Sequence, residues 1–109
     1  MLDIVVNGSK ANVFIDGNFM MIPRAYLRLG VNQITIRYVN VFSNDGYGCV
    51  SYIDMTETPS KFYVYTHMEP HSAHKVFPCF DQPDLRGRMS LCMVTPMGWS
   101  AVANGKINY

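Results

Sequence analysis

The sequence predicts an all-β protein, an antiparallel β-sandwich with one or two short helical turns. Three observations carry this prediction. Short runs of β-branched and aromatic residues recur along the chain, turn dipeptides punctuate them about every eight to twelve residues, and only two brief segments carry helix signals. Leu2–Val6 is a β-branched run closed by Asn7-Gly8, and Ala11–Ile15 is a second run closed by Asp16-Gly17. Both dipeptides tolerate positive φ and so mark hairpins. Ile22-Pro23 introduces Arg24–Leu29 ahead of Gly30, where a proline near the first turn and a glycine past the last point to one or two helical turns, with a short strand as the alternative.

Gln33–Asn40 is the clearest strand. Ile34, Ile36 and Tyr38 fall on one side and Thr35, Arg37 and Val39 on the other. After the Ser43–Gly46 break, Cys49–Ile53 and Phe62–Thr66 are further strands around the polar loop Thr56–Ser60. Pro70–Val76 is the second helical candidate, and Arg88–Val94 and Ala101–Ala103 read as extended. No repeat, low-complexity tract or linker divides the chain, so its 109 residues form one domain or part of one.

Composition narrows the function classes. Nine Lys and Arg against eight Asp and Glu leave a net charge of +1, and the bases are scattered. A nucleic-acid partner is therefore not expected, because phosphate binding needs concentrated positive charge. The apolar fraction of 49% argues against disorder. No apolar run approaches the roughly 18 residues of a membrane span, and the N-terminus lacks a basic region followed by an apolar segment of signal-peptide length. Cys49, Cys79 and Cys92 are odd in number and lack C-x-x-C spacing. Free buried thiols in a reducing compartment follow, and a cytoplasmic location is expected.

The chemistry concentrates in Tyr65–Asp84, YTHMEPHSAHKVFPCFDQPD, which holds all three histidines together with Glu69, Asp81 and Asp84. This stretch, with TPMGWSAVANG downstream and LGVNQITIRYVNVFSNDGYG upstream, resembles the N-terminal domain of zinc aminopeptidases of the aminopeptidase N and puromycin-sensitive aminopeptidase family, which includes leukotriene hydrolases. That family shows Y-T-Q-x-E-P, then A-R-x-x-F-P-C-F-D-x-P, then P-x-x-W-x-A-x-S-N-G. The resemblance runs from about Leu2 to Gly105, and Phe77–Asp84 is its most specific part.

The resemblance implies a β-sandwich that closes as a lid over a separate catalytic domain. There, H-E-x-x-H, a downstream Glu, a G-x-M-E-N loop and a Tyr would perform the hydrolysis, with two histidines one helical turn apart and a carboxylate holding zinc. None of these motifs occurs in this chain. The expectation is a catalytically inert portion with no catalytic residue and no cofactor of its own, zinc belonging to the parent enzyme. The resemblance also implies two substrate-binding residues. Glu69 stands where the family places an acid that binds the peptide's free α-amine, against its plainer reading as a solvated acid at a strand end. His67 stands where the family usually has a Gln lining the first side-chain pocket, a departure that changes shape and adds pH-dependent charge. His74 replaces the family's usual Arg, so any ion pair made there becomes pH-dependent.

Other readings of the stretch are plainer. His67, His71 and His74 have helical metal-ligand spacing, but Pro70 interrupts the helix between the first two. Calorimetry with zinc would decide whether they form a metal site. Cys79 reads as a small buried hydrophobe, Asp81 and Asp84 as turn braces, and Trp99 as a core or edge-packing residue. The family's sandwich is longer than this chain, so residues 1–109 read as a partial N-terminal domain whose partners are the missing catalytic domain and, through it, a peptide N-terminus. Its outer strands are expected to lack neighbours and to promote self-association. The rival reading is a stand-alone, non-catalytic β-sandwich interaction module. A reading frame that continues into H-E-x-x-H favours the enzyme, and a stop codon after Tyr109 favours the module.

Overall fold

Asn7 and Gly8 turn the chain with φ of 52° and 84°, the double positive-φ geometry that brings two right-twisted strands together. In the computed structural model, which describes residues 3–106, this turn joins β1 (Asp3–Val6) to β2 (Ser9–Lys10) with Val6 opposite Ser9. A second hairpin joins β3 (Phe14–Asp16) to β4 (Phe19–Met21) through Gly17-Asn18. β5 (Ile34–Arg37) pairs antiparallel with β1, Ile36 opposite Ile4. β6 (Gly48–Asp54) and β7 (Lys61–His67) form a seven-pair antiparallel ladder, from Gly48 opposite His67 to Asp54 opposite Lys61. The three sheets run β2-β1-β5, β3-β4 and β6-β7. Every paired strand is antiparallel and the only helical elements among the described residues are two 3-10 turns, Arg24–Tyr26 and Ala73–Lys75. The fold is all-β.

Alternation places the core. Ile4 and Val6 point to one face of β1 and pack with Ala11, and Val13, Met20, Ile22, Tyr26 and Ile36 close around them. Val6 is 1% exposed, and burying a valine side chain contributes about 1.5 kcal/mol or more. Val50 is the remaining buried apolar residue among those described. The radius of gyration is 17.0 Å, whereas a compact domain of this length has about 13 Å. Large apolar side chains on β3, β4, β6 and β7 stay exposed, so the sheets are open layers.

Several elements differ from the sequence reading. Ala11–Ile15 is not one strand, because Ala11 turns into the core and Asn12 donates its N–H to the Tyr26 hydroxyl, leaving only Phe14–Asp16 to pair. Arg24–Leu29 makes a single 3-10 turn. The Asn32 side chain accepts the Arg28 N–H and donates to the carbonyls of Arg28 and Gly30, giving that backbone a local alternative to helix. Pro70–Val76 shortens to Ala73–Lys75. Arg88–Val94 and Ala101–Ala103 are not strands, since no neighbour among the described residues supplies a ladder. Leu2, the first residue of the first expected strand, lies outside the described residues.

Asn7 ties the core sheet to its loops. Its side chain donates to the Tyr26 carbonyl at 3.0 Å and to Asn32 Oδ1 at 2.9 Å, and accepts the Gln33 N–H at 3.0 Å. Each such bond contributes about 0.5–1.5 kcal/mol net, and alanine tolerates φ of 52° poorly. Asn7→Ala is therefore expected to lower stability by about 2 kcal/mol, read as a lower urea midpoint at constant slope.

Candidate functional site

β7 delivers its last residue, His67, to the loop between β5 and β6. The imidazole stacks on Tyr47 with ring centres 5.0 Å apart, and its Nδ1–H donates to the Gly46 carbonyl at 3.1 Å. Beyond His67 the chain leaves the ladder and turns, with the Ser72 N–H donating to the Met68 carbonyl at 2.7 Å. Ser72 is buried beneath the turn. Met68, Glu69 and Pro70 therefore form a short bridge between the end of β7 and the second 3-10 turn. The Glu69 side chain is exposed and, among the described residues, has no hydrogen-bond or ion-pair partner.

The far side of the bridge is clamped. Lys75 Nζ donates to Asp45 Oδ2 at 2.6 Å, Asn40 Nδ2 donates to the Lys75 carbonyl at 2.5 Å, and the Tyr38 hydroxyl donates to the Val76 carbonyl at 3.1 Å. Gly48, at the start of β6, lies against Lys75 so closely that an added Cβ would stand 2.7 Å from Lys75 Cβ. Glu69 is thus held between a strand end on one side and, on the other, a turn fastened to the β5–β6 connection at three residues.

A wide cleft opens from Glu69 along Phe77–Ser90, and Asp81, Asp84, Arg86 and Arg88 also border it. Its walls carry carboxylates and guanidiniums, so it can accept a group bearing both an ammonium and a carboxylate. His67 is not among the residues bordering it; His67 closes β7, whereas Glu69 stands two residues on, in the middle of the bridge. Sequence reasoning missed Arg86, Arg88, Lys75, Asp45 and Gly48. The Asp-Gly-Tyr-Gly run of residues 45–48 was the available signal for the last two.

Asp81 braces the second 3-10 turn. Its Oδ2 accepts the His74 ring Nδ1–H at 2.6 Å and the His74 backbone N–H at 3.1 Å. These bonds hold the Asp81 carboxyl below the usual carboxylate range, the ring bond first and the backbone bond next. Lys75, then the Ser43 hydroxyl, hold Asp45 well below that range too. Both carboxylates have lowered values in the folded chain. Their contribution is complete above the unfolded value of about pH 4 and disappears as pH falls through the lowered values. Backbone amides of residues 72–77 are expected to lose protection progressively, relative to intrinsic exchange, as pH falls below about 4. Asp45→Asn should show part of that loss already at neutral pH; unchanged protection would contradict the clamp.

The thiols differ from expectation. Cys49 is half-buried, but Cys79 and Cys92 are exposed. Cys79 sits after Pro78 on an open groove of about 600 Å³ between Phe19, Ile36 and Phe80, so it does not act as a buried hydrophobe. Partial burial, with Asp81 adding to it, raises its thiol above the ordinary value. Trp99 packs on Phe62 with ring centres 5.7 Å apart, at the edge of the β6–β7 sheet. Among the described residues no three His, Cys, Asp or Glu side chains converge to hold a metal ion, and no helix is long and apolar enough to cross a membrane.

Comparison with known proteins gives a consistent set of relatives. The family model of the Peptidase M1 N-terminal domain matches residues 7–108. Aminopeptidase N of Streptomyces lividans is 28% identical over 105 residues, covering 94% of this chain and 12% of that protein. Probable M1 family aminopeptidase 1 of Encephalitozoon cuniculi is 31% identical over 78 residues, covering 72% of this chain and 8% of that protein. Aminopeptidase Q of Mus musculus is 42% identical over 41 residues, covering 38% of this chain and 7% of that protein. The chain thus spans between 7% and 12% of these relatives' lengths. No solved structure gives a significant match.

Proposed function

Because the chain belongs to the peptidase M1 family through its N-terminal domain, we propose that it is the substrate-binding, lid-forming portion of a zinc aminopeptidase and is inert by itself. Glu69 supplies a carboxylate to the free α-amine of a peptide, while hydrolysis takes place in a catalytic portion outside these residues. The observation that carries this reading is the placement of Glu69. It lies inside the matched span, its carboxylate is unpaired among the described residues, and it stands on a bridge fixed at both ends. A carboxylate so held is free to accept an ammonium without first breaking another contact.

The donor set of this chain does not fit zinc. No H-E-x-x-H occurs in the sequence, and no three potential ligands converge among the described residues. In the proposed enzyme zinc belongs to the catalytic portion. His67 contributes to the site indirectly by fastening the end of β7 to Gly46 and Tyr47. Replacing Glu69 in the intact enzyme and measuring hydrolysis of a free-amine peptide tests the proposal; an unchanged kcat/KM would overturn it.

A further inference from the structure

We propose that β7 is a self-pairing edge through which two copies of this chain associate, antiparallel and symmetric about Val64. β7 pairs with β6 on one side, and on the other its row of backbone N–H and C=O groups has no partner among the described residues. All seven of its residues are exposed. An edge of that length lacks the usual protections, since it carries no proline and one lysine only, at its first residue.

The sequence of β7 favours a second copy as the occupant. In an antiparallel pairing centred on Val64, Tyr63 faces Tyr65 of the other copy, Phe62 faces Thr66, and Lys61 faces His67. Aromatic pairs thus occupy the middle, and no two residues that always carry charge meet. Such pairing is isologous and closes after two copies. Phe62, Tyr63, Val64 and Tyr65 are 41%, 46%, 36% and 51% exposed, with Tyr52 and Ile53 beside them 55% and 52% exposed. Aromatic side chains bring about 150–250 Å² each, so these residues could cover about 400–500 Å² per copy. That total lies below the roughly 1,200 Å² of a stable interface, so the dimer is expected to be weak and concentration-dependent.

Sedimentation equilibrium of the 109-residue chain is expected to show this monomer–dimer exchange, and amides of residues 61–67 should exchange more slowly as concentration rises. Val64→Glu places two carboxylates opposite each other on the symmetry axis and should weaken the dimer at least about tenfold. Leu29→Glu, at a fully exposed residue in the connection between β4 and β5, should leave it intact. A chain that stays monomeric up to about 1 mM, or a dimer equally sensitive or equally insensitive to both substitutions, overturns the proposal. If Val64→Glu fails to fold, the exchange data on the unaltered chain decide: protection that rises with concentration elsewhere but not in β7 also overturns it.

Discussion

Glu69→Ala in the proposed intact aminopeptidase is expected to lower kcat/KM for a free-amine peptide by about 10²–10³-fold, equivalent to about 3–4 kcal/mol. On the proposed reading the catalytic portion would close over the cleft and exclude water, and the magnitude follows from the ammonium then left unpaired. The loss should fall mainly on KM, because the amine lies away from the bond that breaks and its contact is the same before and during reaction. Glu69→Gln keeps the shape and loses the charge, so it should recover little. The decisive contrast is a ligand whose α-amine is replaced by hydrogen. Its affinity should be nearly the same for both enzymes, since it has no ammonium for Glu69 to hold. If that ligand were weakened as much as the peptide, Glu69 would be shaping the cleft instead of binding the amine.

Gly48→Ala should produce the largest stability loss, about 2–5 kcal/mol. Gly48 has φ of +83°, which an alanine adopts only with strain. The new methyl would also stand 2.7 Å from Lys75 Cβ. That atom is fixed to the backbone, so relief requires the second 3-10 turn to move away from β6. Gly8, with φ of +84° and nothing within 4 Å of an added Cβ, isolates the first term; Gly8→Ala should cost about 1–3 kcal/mol. Because the turn that moves is the one fastening the Glu69 bridge, Gly48→Ala in the intact enzyme should also raise KM. Equal destabilisation at the two glycines, read from denaturant midpoints, would show that the Lys75 contact does not matter.

The parts of the fold legible in the sequence are those fixed by local pattern. The alternation of Gln33–Asn40 yields β5, Asn7-Gly8 yields the first hairpin, and the β-rich runs on either side of Thr56–Ser60 yield β6 and β7. Where a side chain takes the backbone groups a helix would need, or a strand finds no neighbour, the sequence misleads. Asn32 takes the backbone groups of Arg28 and Gly30 and stops a helix at one turn. Arg88–Val94 has strand-like composition, yet a strand exists only where a neighbour pairs with it, and none does so among the described residues.

The site divides in the same way. Glu69 and His67 enter as candidates through the resemblance their motif carries, not through spacing, and Asp81, expected to brace a turn near Pro83, instead braces the second 3-10 turn through His74. Their relative placement was not visible. An i, i+2 spacing suggests a shared face only while the strand continues, and β7 ends at His67. The Lys75–Asp45 clamp joins residues thirty positions apart, and Arg86 and Arg88 reach the Glu69 cleft through the fold. No spacing rule reports contacts of that separation.

Amine recognition and bond cleavage are assigned here to different portions of one enzyme, and a single assay on the isolated polypeptide separates them. The purified 109-residue chain, freed of contaminating proteases, is incubated with peptides in zinc-containing buffer, with and without a chelator. The expected result is no release of N-terminal amino acids in either condition. Release that the chelator abolishes would contradict the division and place a hydrolytic metal centre within these residues.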